Sequence, residues 1–442
     1  MHSISIKNFG PLVNLELHSN KFTFLIGEQA SGKSTLAKLI YFFRTLQDEF
    51  VNLAFTSGSE DWQVFRKLFL SLLKRKFTGI FGGTKELGDF VLVYSYTETH
   101  YVTVKPAPDR DYLGIELSSE LHKNLESILN KTQKVLSINR ESAYNLYLSF
   151  LNDSKAKKDI ISAMRSIFDD DAYMIYIPAG RAFLSRQALL QLIQTDEISR
   201  IRPDEQPYQY DTYDIIDAPT GNYISEVRRV REWFLSPQIS ERLKTNGNDA
   251  FIDYIQMLNS DILKGSYVAD KYNDYIRIQG SKDVKISYAS SGQQEVIWLL
   301  NLLYAFAVER RKCVVIIEEP ETHLHPDAQY TLAKCIAAFS NYTDSEVVVS
   351  THSPYVLTSF NNLIYAGKCG RSSVVHSELN DIIRSESWLD PDAFYAYVLE
   401  QGEIRNIRDD YLSMIDIADL DAVASSQDTE YEVMSSLYSE VR

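Results

Sequence analysis

Phe22-Thr23-Phe24-Leu25-Ile26-Gly27-Glu28-Gln29-Ala30-Ser31-Gly32-Lys33-Ser34-Thr35 decides how this chain is read. Phe22 to Ile26 is a short, nearly unbroken apolar run, which suits a buried strand. From Lys33 to Leu46, the residues Leu36, Leu39, Ile40 and Phe43 fall on one side of a helix. Between the two, Gly27 to Ser34 fits GxxxxGK[ST] in the strand-before, helix-after context that this motif needs. Backbone N–H groups of such a loop wrap a phosphate, and the helix N-terminus adds positive potential. Gly27, Glu28, Gln29, Ala30, Ser31, Gly32, Lys33, Ser34 and Thr35 are therefore expected to bind ATP. Lys33 would reach the β- and γ-phosphates, and the Ser34 hydroxyl would sit on Mg2+.

Three later stretches can supply the rest of a nucleotide site. Val314-Val315-Ile316-Ile317-Glu318-Glu319-Pro320 reads as a central strand ending in two carboxylates. Adjacent acids there are costly unless a cation meets them. Glu318 is expected to hold Mg2+ through water, and Glu319 to orient and polarise the attacking water. Ser290-Ser291-Gly292-Gln293-Gln294-Glu295 precedes an apolar helix. Small residues at a helix start make an anion site, but taken alone the stretch reads better as an ordinary N-cap, Ser290 or Ser291, before a buried helix. Ser350-Thr351-His352-Ser353-Pro354 follows the strand Val347 to Ser350. That places His352 at the carboxyl edge of a sheet, where α/β folds bind nucleotides.

The order of these four motifs is more specific than any one of them. With Phe9-Gly10-Pro11-Leu12, Glu318 to Pro326 (EEPETHLHP) and Ser350 to Leu357 (STHSPYVL), the chain resembles ABC-type ATPases of the RecF/SMC/OLD-like branch. The likeness covers Met1 to about Lys105 and Tyr275 to about Ser377, and touches Ile177-Pro178-Ala179-Gly180-Arg181. It implies an α/β ATPase head, mixed sheets flanked by helices, with an inserted helical subdomain. It also implies a homodimer or higher homo-oligomer with two ATPs sandwiched between subunits. Ser290, Ser291, Gly292 and Gln293 would then meet the nucleotide held by the other subunit's Lys33. Glu321 to His325 would touch the partner, and His352 would contact the γ-phosphate. Two departures stand out: SSGQQ in place of LSGGQ, and Glu318 where the metal acid is commonly Asp. A metal-binding Gln is not placed, since Gln47 lies early and Gln133 sits in a helical stripe.

The domains expected are an N-terminal lobe with the phosphate loop (1–117), a mostly helical insertion with one core strand near 173–181 (118–274), a C-terminal lobe (275–380) and a tail packed on the ATPase (381–442). Strands are expected at Phe90 to Tyr96, Tyr101 to Lys105, Met174 to Ile177, Tyr275 to Ile278 and Val284 to Ser287, and near Leu363 and Val374. Ala182 to Ile193 and Ile224 to Phe234 read as helix, and Ile201 to Tyr223 as loop. Folded as a hairpin, Ser118 to Asp171 reaches roughly 40 Å. That is a compact arm rather than a long coiled coil. Arg181 is open to two readings, a phosphate or partner contact and a salt bridge with a core acid.

With 442 residues, 45% of them hydrophobic and 24% charged, the chain can bury a large core. Lys plus Arg number 45 against 60 Asp plus Glu, a net charge of −15. Such a surface repels nucleic acid and anionic lipid at long range, though a local basic groove stays open. Three cysteines (Cys313, Cys335, Cys369) without ligand spacing fit a reducing compartment. Met1 to Leu12 has no signal-peptide core, and Trp298 to Val308 is too short an apolar run to span a bilayer. A cytoplasmic protein with no membrane partner is expected. The functional expectation is an ATP-hydrolysing dimeric switch controlling a separate effector, a nuclease or toxin in phage defence. The alternatives are a DNA-end-binding repair ATPase of the RecF kind and an ATP-dependent scaffold with little turnover. The segment after Pro354 is short for a nuclease domain. Glu400-Gln401-Gly402-Glu403 and Asp419-Leu420-Asp421 read better as a strand pair and an acidic helix packed on the ATPase.

Overall fold

The structure, a computed structural model, describes residues 2–59, 61–83, 87–107, 113–138, 155–185, 217–236, 249–278, 280 and 282–416. The strands in chain order are β1 (Ser3–Phe9), β2 (Leu12–His18), β3 (Phe22–Ile26), β4 (Val91–Ser95), β5 (Tyr101–Pro106), β6 (Leu113–Leu117), β7 (Tyr173–Ile177), β8 (Ser266–Ala269), β9 (Asp274–Arg277), β10 (Val284–Lys285), β11 (Cys313–Glu318), β12 (Glu346–Thr351), β13 (Phe394–Glu400), β14 (Glu403–Asn406), β15 (Arg408–Asp409) and β16 (Met414–Ile415). The helices are α1 (Lys33–Arg44), α2 (Leu46–Thr56), α3 (Trp62–Phe81), α4 (Ser119–Ile138), α5 (Lys155–Phe168), α6 (Ala218–Leu235), α7 (Ala250–Leu263), α8 (Ser291–Val308), α9 (Pro326–Thr343), α10 (Pro354–Cys369) and α11 (His376–Ile382).

Among the described residues, eleven strands form one mixed sheet in the order β6-β5-β4-β1-β2-β14-β13-β3-β12-β11-β7. From β13 to β7 every pairing is parallel. From β6 to β2 every pairing is antiparallel. Alternation along the parallel strands feeds two cores. Phe22, Phe24, Ile26, Val315, Ile317, Val347 and Val349 pack with α6 to α10 on one face. Leu25, Val314, Ile316 and Val348 pack with α1 to α5 and the antiparallel strands on the other. A strand covered on both faces has no polar side, which is why these segments read as unbroken apolar runs. Each fully buried aliphatic contributes about 1.5–3 kcal/mol. That anchors the strand ends from which the functional loops leave.

The observed mixed α/β sheet flanked by helices is the fold class the sequence implies. Several local expectations differ. The segment around Leu363 is not a strand but the middle of α10, and Val374 lies in an exposed turn. The reason is in the spacing: Val356, Leu357, Phe360, Leu363 and Ile364 recur with a helical period and are all buried. The Ser353 side chain caps the helix start and Pro354 occupies its first turn. The expected loop up to Tyr223 ends earlier, because Asp217 caps α6 and Pro219 opens it; residues 201–216 lie outside the described set. Of the helix expected from Ala182, the described part is a 3-10 turn over Arg181–Ser185, and residues 186–193 lie outside. Residues 139–154 of the expected helical arm and Asp419-Leu420-Asp421 are likewise outside. Helices α2 and α3 and strand β6 have no counterpart in the sequence reading. The segment read as a tail puts β13 beside β3, with Phe394 opposite Phe22 and Val398 opposite Ile26. Glu400 to Glu403 form the hairpin between β13 and β14.

Candidate active site

The order β3-β12-β11 brings three carboxyl-terminal strand ends side by side. Glu318 is in register with Ser350, which in turn pairs with Leu25, and Thr351 pairs with Ile26. The phosphate-loop, carboxylate and histidine segments therefore leave neighbouring strands at one edge of the sheet.

The loop after β3 is shaped by close backbone approach. Gly27 has φ +150°, and a Cβ there would lie 2.5 Å from the Leu399 carbonyl oxygen of β13. Only glycine fits that combination. Glu28, Gln29 and Ala30 are exposed at the loop crest, and Ser34 is exposed at the start of α1. The Ser31 Oγ is buried without a hydrogen-bond partner. Gly32 caps α1 with no side-chain hydrogen bond, whereas Ser290, His325 and Ser353 each cap the helix they precede. The first N–H groups of α1 thus have no side-chain acceptor and are suited to an anion. The Lys33 ammonium is buried and donates to the carbonyls of Gly27 (2.8 Å) and Glu28 (2.7 Å). Burial lowers its pKa below the ordinary lysine value, while the charges of Glu319, Glu321 and Glu318 oppose that shift.

Glu318 ends β11 and is 5% exposed. One carboxylate oxygen accepts from the Ala179 N–H (3.3 Å); the other, Oε1, is buried without a partner. Glu319 sits at φ +41°, an uncommon conformation for a residue with a Cβ. Its N–H donates to the Ser350 carbonyl (2.8 Å), and its carboxylate lies 3.6 Å from His352 Nδ1. The His352 side chain is about half exposed.

Sequence reasoning placed Glu321 only in a loop touching a partner. The structure buries it instead: Oε1 accepts from the Thr351 hydroxyl (2.6 Å) and from the His352 N–H (3.2 Å). Gln329 was not singled out at all. It is buried, donates to the Leu324 carbonyl (3.0 Å) and accepts from the Ser353 hydroxyl (2.8 Å). These two residues tie the loop after β11 to the loop carrying His352. Their signal was the coincidence of polar side chains with otherwise apolar positions, which spacing alone does not separate from surface polarity.

Arg181 is wholly buried. Its Nη1 donates to the carbonyls of Pro178 (2.9 Å) and Glu318 (2.7 Å), its Nη2 to the Glu319 carbonyl (3.1 Å) and its Nε to the Glu295 carbonyl (3.0 Å). Its expected acidic partner is present at longer range, with Glu295 Oε2 3.9 Å away.

Ser290, Ser291, Gly292 and Gln293 open α8. Ser290 and Ser291 are exposed. Gln293 completes a capping box, its Oε1 accepting from the Ser290 N–H (3.0 Å), and its Nε2 donates to the Leu263 carbonyl (2.7 Å). The side chain that replaces a glycine in this signature is thus turned back onto the chain. A Cβ on Gly292 would lie 2.6 Å from the His323 carbonyl, so the turn backs directly on the loop after β11. Gln133 donates to the Ser59 carbonyl (2.9 Å), and Gln47 lines a cavity with Tyr173 and Lys312 at the opposite end of β7 and β11. Neither stands at the carboxyl edge.

The donor set fits Mg2+. Magnesium takes oxygen ligands, keeps waters and uses one or two carboxylates. Glu318 offers a buried, unpartnered carboxylate oxygen and Ser34 an exposed hydroxyl. Glu318, Glu319 and Glu321 beside one lysine would repel a triphosphate unless a divalent cation accompanied it. Among the described residues no cluster of three or more His, Cys, Asp or Glu side chains forms a full protein cage for a metal.

The AAA ATPase domain model matches residues 1–78 and 84–357. The chain belongs to the AAA ATPase domain family. This AAA ATPase domain has no match among the curated proteins. Among solved structures it is similar to an SMC head bound to the C-winged helix domain of ScpA, at 10% identity, covering 92% of this chain and 96% of that one, with TM-score 0.41. It is similar to the SMC head domain from Thermotoga maritima (12% identity, 92% and 97% covered, TM-score 0.35). It is also similar to the recombination mediator protein RecF-ATPrS (10%, 92% and 97%, TM-score 0.33). No weight rests on these distant likenesses. Among the described residues of the domain, no helix is long and apolar enough to cross a membrane.

Proposed function

We propose that the chain is an ATP-hydrolysing switch that closes as a homodimer on ATP and opens on hydrolysis. The observation that carries this reading is the convergence of Lys33, Glu318, Glu319 and His352 on three adjacent strand ends. The N–H groups of Gly27 to Thr35 bind the phosphates, and Lys33 moves from its carbonyl partners to the β- and γ-oxygens. Glu318 and Ser34 would hold Mg2+, which would supply positive charge to offset that of the phosphates. Glu319 orients a water in line with the γ-phosphorus and accepts its proton as the P–O bond forms. The β–γ bridging oxygen leaves with ADP. His352, beside Glu319, contacts the γ-phosphate in this reading. Ser290, Ser291 and the α8 N-terminus face outward and serve the nucleotide of a second copy. The cycle then governs a separate effector, a nuclease or toxin in phage defence, as the resemblance to the RecF/SMC/OLD-like branch suggests.

Glu319→Gln tests the reading. Turnover, measured as phosphate release, is expected to fall about 10^3-fold. ATP binding persists, and light scattering shows an ATP-dependent dimer. An unmutated protein that binds ATP but shows no turnover, alone or with its captured partner, favours the scaffold instead. One observation favours the DNA-end-binding alternative. Helix α3 carries Arg66, Lys67, Lys74 and Arg75 with no acid, beside a Lys76 that is paired with Glu49, on a chain of net charge −15. ATP-dependent duplex binding that weakens steeply with salt would support that alternative.

A further inference from the structure

Arg181 has no part in the scheme above, yet its guanidinium holds together three pieces of it. Its four acceptors are backbone carbonyls: Pro178 after β7, Glu318 and Glu319 at the carboxylate pair, and Glu295 one turn into α8. No shorter or rounder cation satisfies them all, because only the planar guanidinium offers N–H donors in a fixed fork. What the fork holds matters. Glu319 lies at φ +41°, a conformation that is strained for a residue with a Cβ and persists only when its surroundings fix it. The fixing groups are the Ser350 carbonyl on its N–H, and Arg181 and Thr322 on its carbonyl. Thr322 donates twice, from N–H (3.2 Å) and from hydroxyl (2.9 Å). Rotation of that peptide would swing the Glu319 carboxylate away from His352.

We propose that Arg181 is a positioning residue for ATP hydrolysis. It clamps the Glu318–Glu319 backbone so that the Glu319 carboxylate stays aimed at the attacking water. Through the Glu295 carbonyl it also ties that backbone to the helix beginning at Ser290-Ser291. The same helix presses on the loop after β11 a second time, where Gly292 meets the His323 carbonyl. A shift of the α8 N-terminus on meeting phosphate therefore reaches Glu319 by two routes within one chain. The proposal rests on the ATPase reading above.

The test is steady-state kinetics on the full chain, with Arg181→Lys, Glu319→Gln and the double variant compared. Arg181→Lys keeps the charge and loses the fork. We expect ATP affinity within about threefold of wild type and kcat lowered about 30- to 100-fold. The double variant should turn over no more slowly than Glu319→Gln alone, since Arg181 acts through Glu319. A merely structural arginine gives a different pattern: a loss that multiplies with that of Glu319→Gln, or one that appears as lost folded protein with normal kcat per folded molecule. Either result overturns the proposal, as does a kcat within twofold of wild type. Should Arg181→Lys fail to fold, Thr322→Val decides, because it removes one of the other donors on the Glu319 carbonyl. A severalfold drop in kcat at unchanged affinity supports the clamp, and wild-type kcat overturns it. Wild-type protein without turnover removes both the ATPase reading and this proposal; turnover unaffected by the variants removes the clamp alone.

Discussion

The two elements that the proposed function assigns to phosphate are built in opposite ways. At the ends of β3, β12 and β11 the side chains turn toward one another. Lys33 lies against loop carbonyls, Glu321 holds the His352 backbone, and Arg181 holds the backbone of Glu318 and Glu319. At the start of α8 Gln293 and Gln294 turn back onto backbone carbonyls, while Ser290, Ser291 and Tyr288 are exposed, Tyr288 at 79%. The first region carries its charges among its own neighbours, and in the proposed function a single chain would hold a nucleotide there. The second is a capped turn in which the Ser290 hydroxyl is held by Gln293 and Ser291 is exposed. In the proposed switch, a site divided in this way is complete only when two copies meet.

The largest effect that tests this contrast lies in the first region. Gly27→Ala forces a Cβ to 2.5 Å from the Leu399 carbonyl at φ +150°. The loop must leave β13, and nucleotide binding is expected to fall by about 10^3-fold in a direct ATP titration. Gly180→Ala is the control. Its φ is +68°, and nothing lies within 4 Å of the added Cβ. It should cost only about 1 kcal/mol of stability and leave ATP affinity intact. Equal affinity in the two variants would mean that the loop shape does not govern binding.

The next effect belongs to the second region. Ser291→Arg puts a bulky cation on an exposed position of the α8 turn and disturbs no inward contact. ATP binding by single chains should be unchanged. The ATP-dependent dimer and turnover should both fall, the latter about 100-fold. Normal turnover with this variant would show that the outward turn meets no phosphate, and the division between the regions would lose its meaning.

Legibility in the sequence followed a similar divide. Gly27 to Ser34, Val314 to Glu319 and Ser350 to His352 could be read because each joins a strongly apolar strand to a loop of restricted chemistry. Both parts are local in sequence. Glu321, Gln329 and Arg181 could not be assigned, because what defines them is a carbonyl or hydroxyl brought close by the sheet order. A strand pair at Glu400 to Glu403 was legible, but the place of β13 in the middle of the sheet was missed for the same reason. Phe394, Ala396 and Val398 face one core and Tyr397 and Leu399 the other, a pattern that identifies a central strand only once β3 is known to lie beside it. The segment around Leu363 is another matter, since its helical spacing was present and legible.

The smallest effect separates the two jobs that the α8 turn combines. Ser290 accepts from the Gln293 N–H (3.3 Å), and Gln293 Oε1 accepts in return from the Ser290 N–H, so Ser290 caps the helix on which Ser291 is displayed. Ser290→Ala removes the capping oxygen and should cost about 1 kcal/mol, visible as a drop of a few degrees in Tm. Gln293 still anchors the turn through Leu263, so the helix start stays in place. If Ser290 only caps, turnover per folded molecule changes by less than about twofold, and Ser291 and the backbone N–H groups carry the phosphate contact. If Ser290 also touches phosphate, turnover falls about tenfold at unchanged single-chain affinity, since losing a hydrogen bond to a charged group costs about 1.5–3 kcal/mol. The stability change is expected in both cases; the size of the kinetic loss decides which serine faces the second copy.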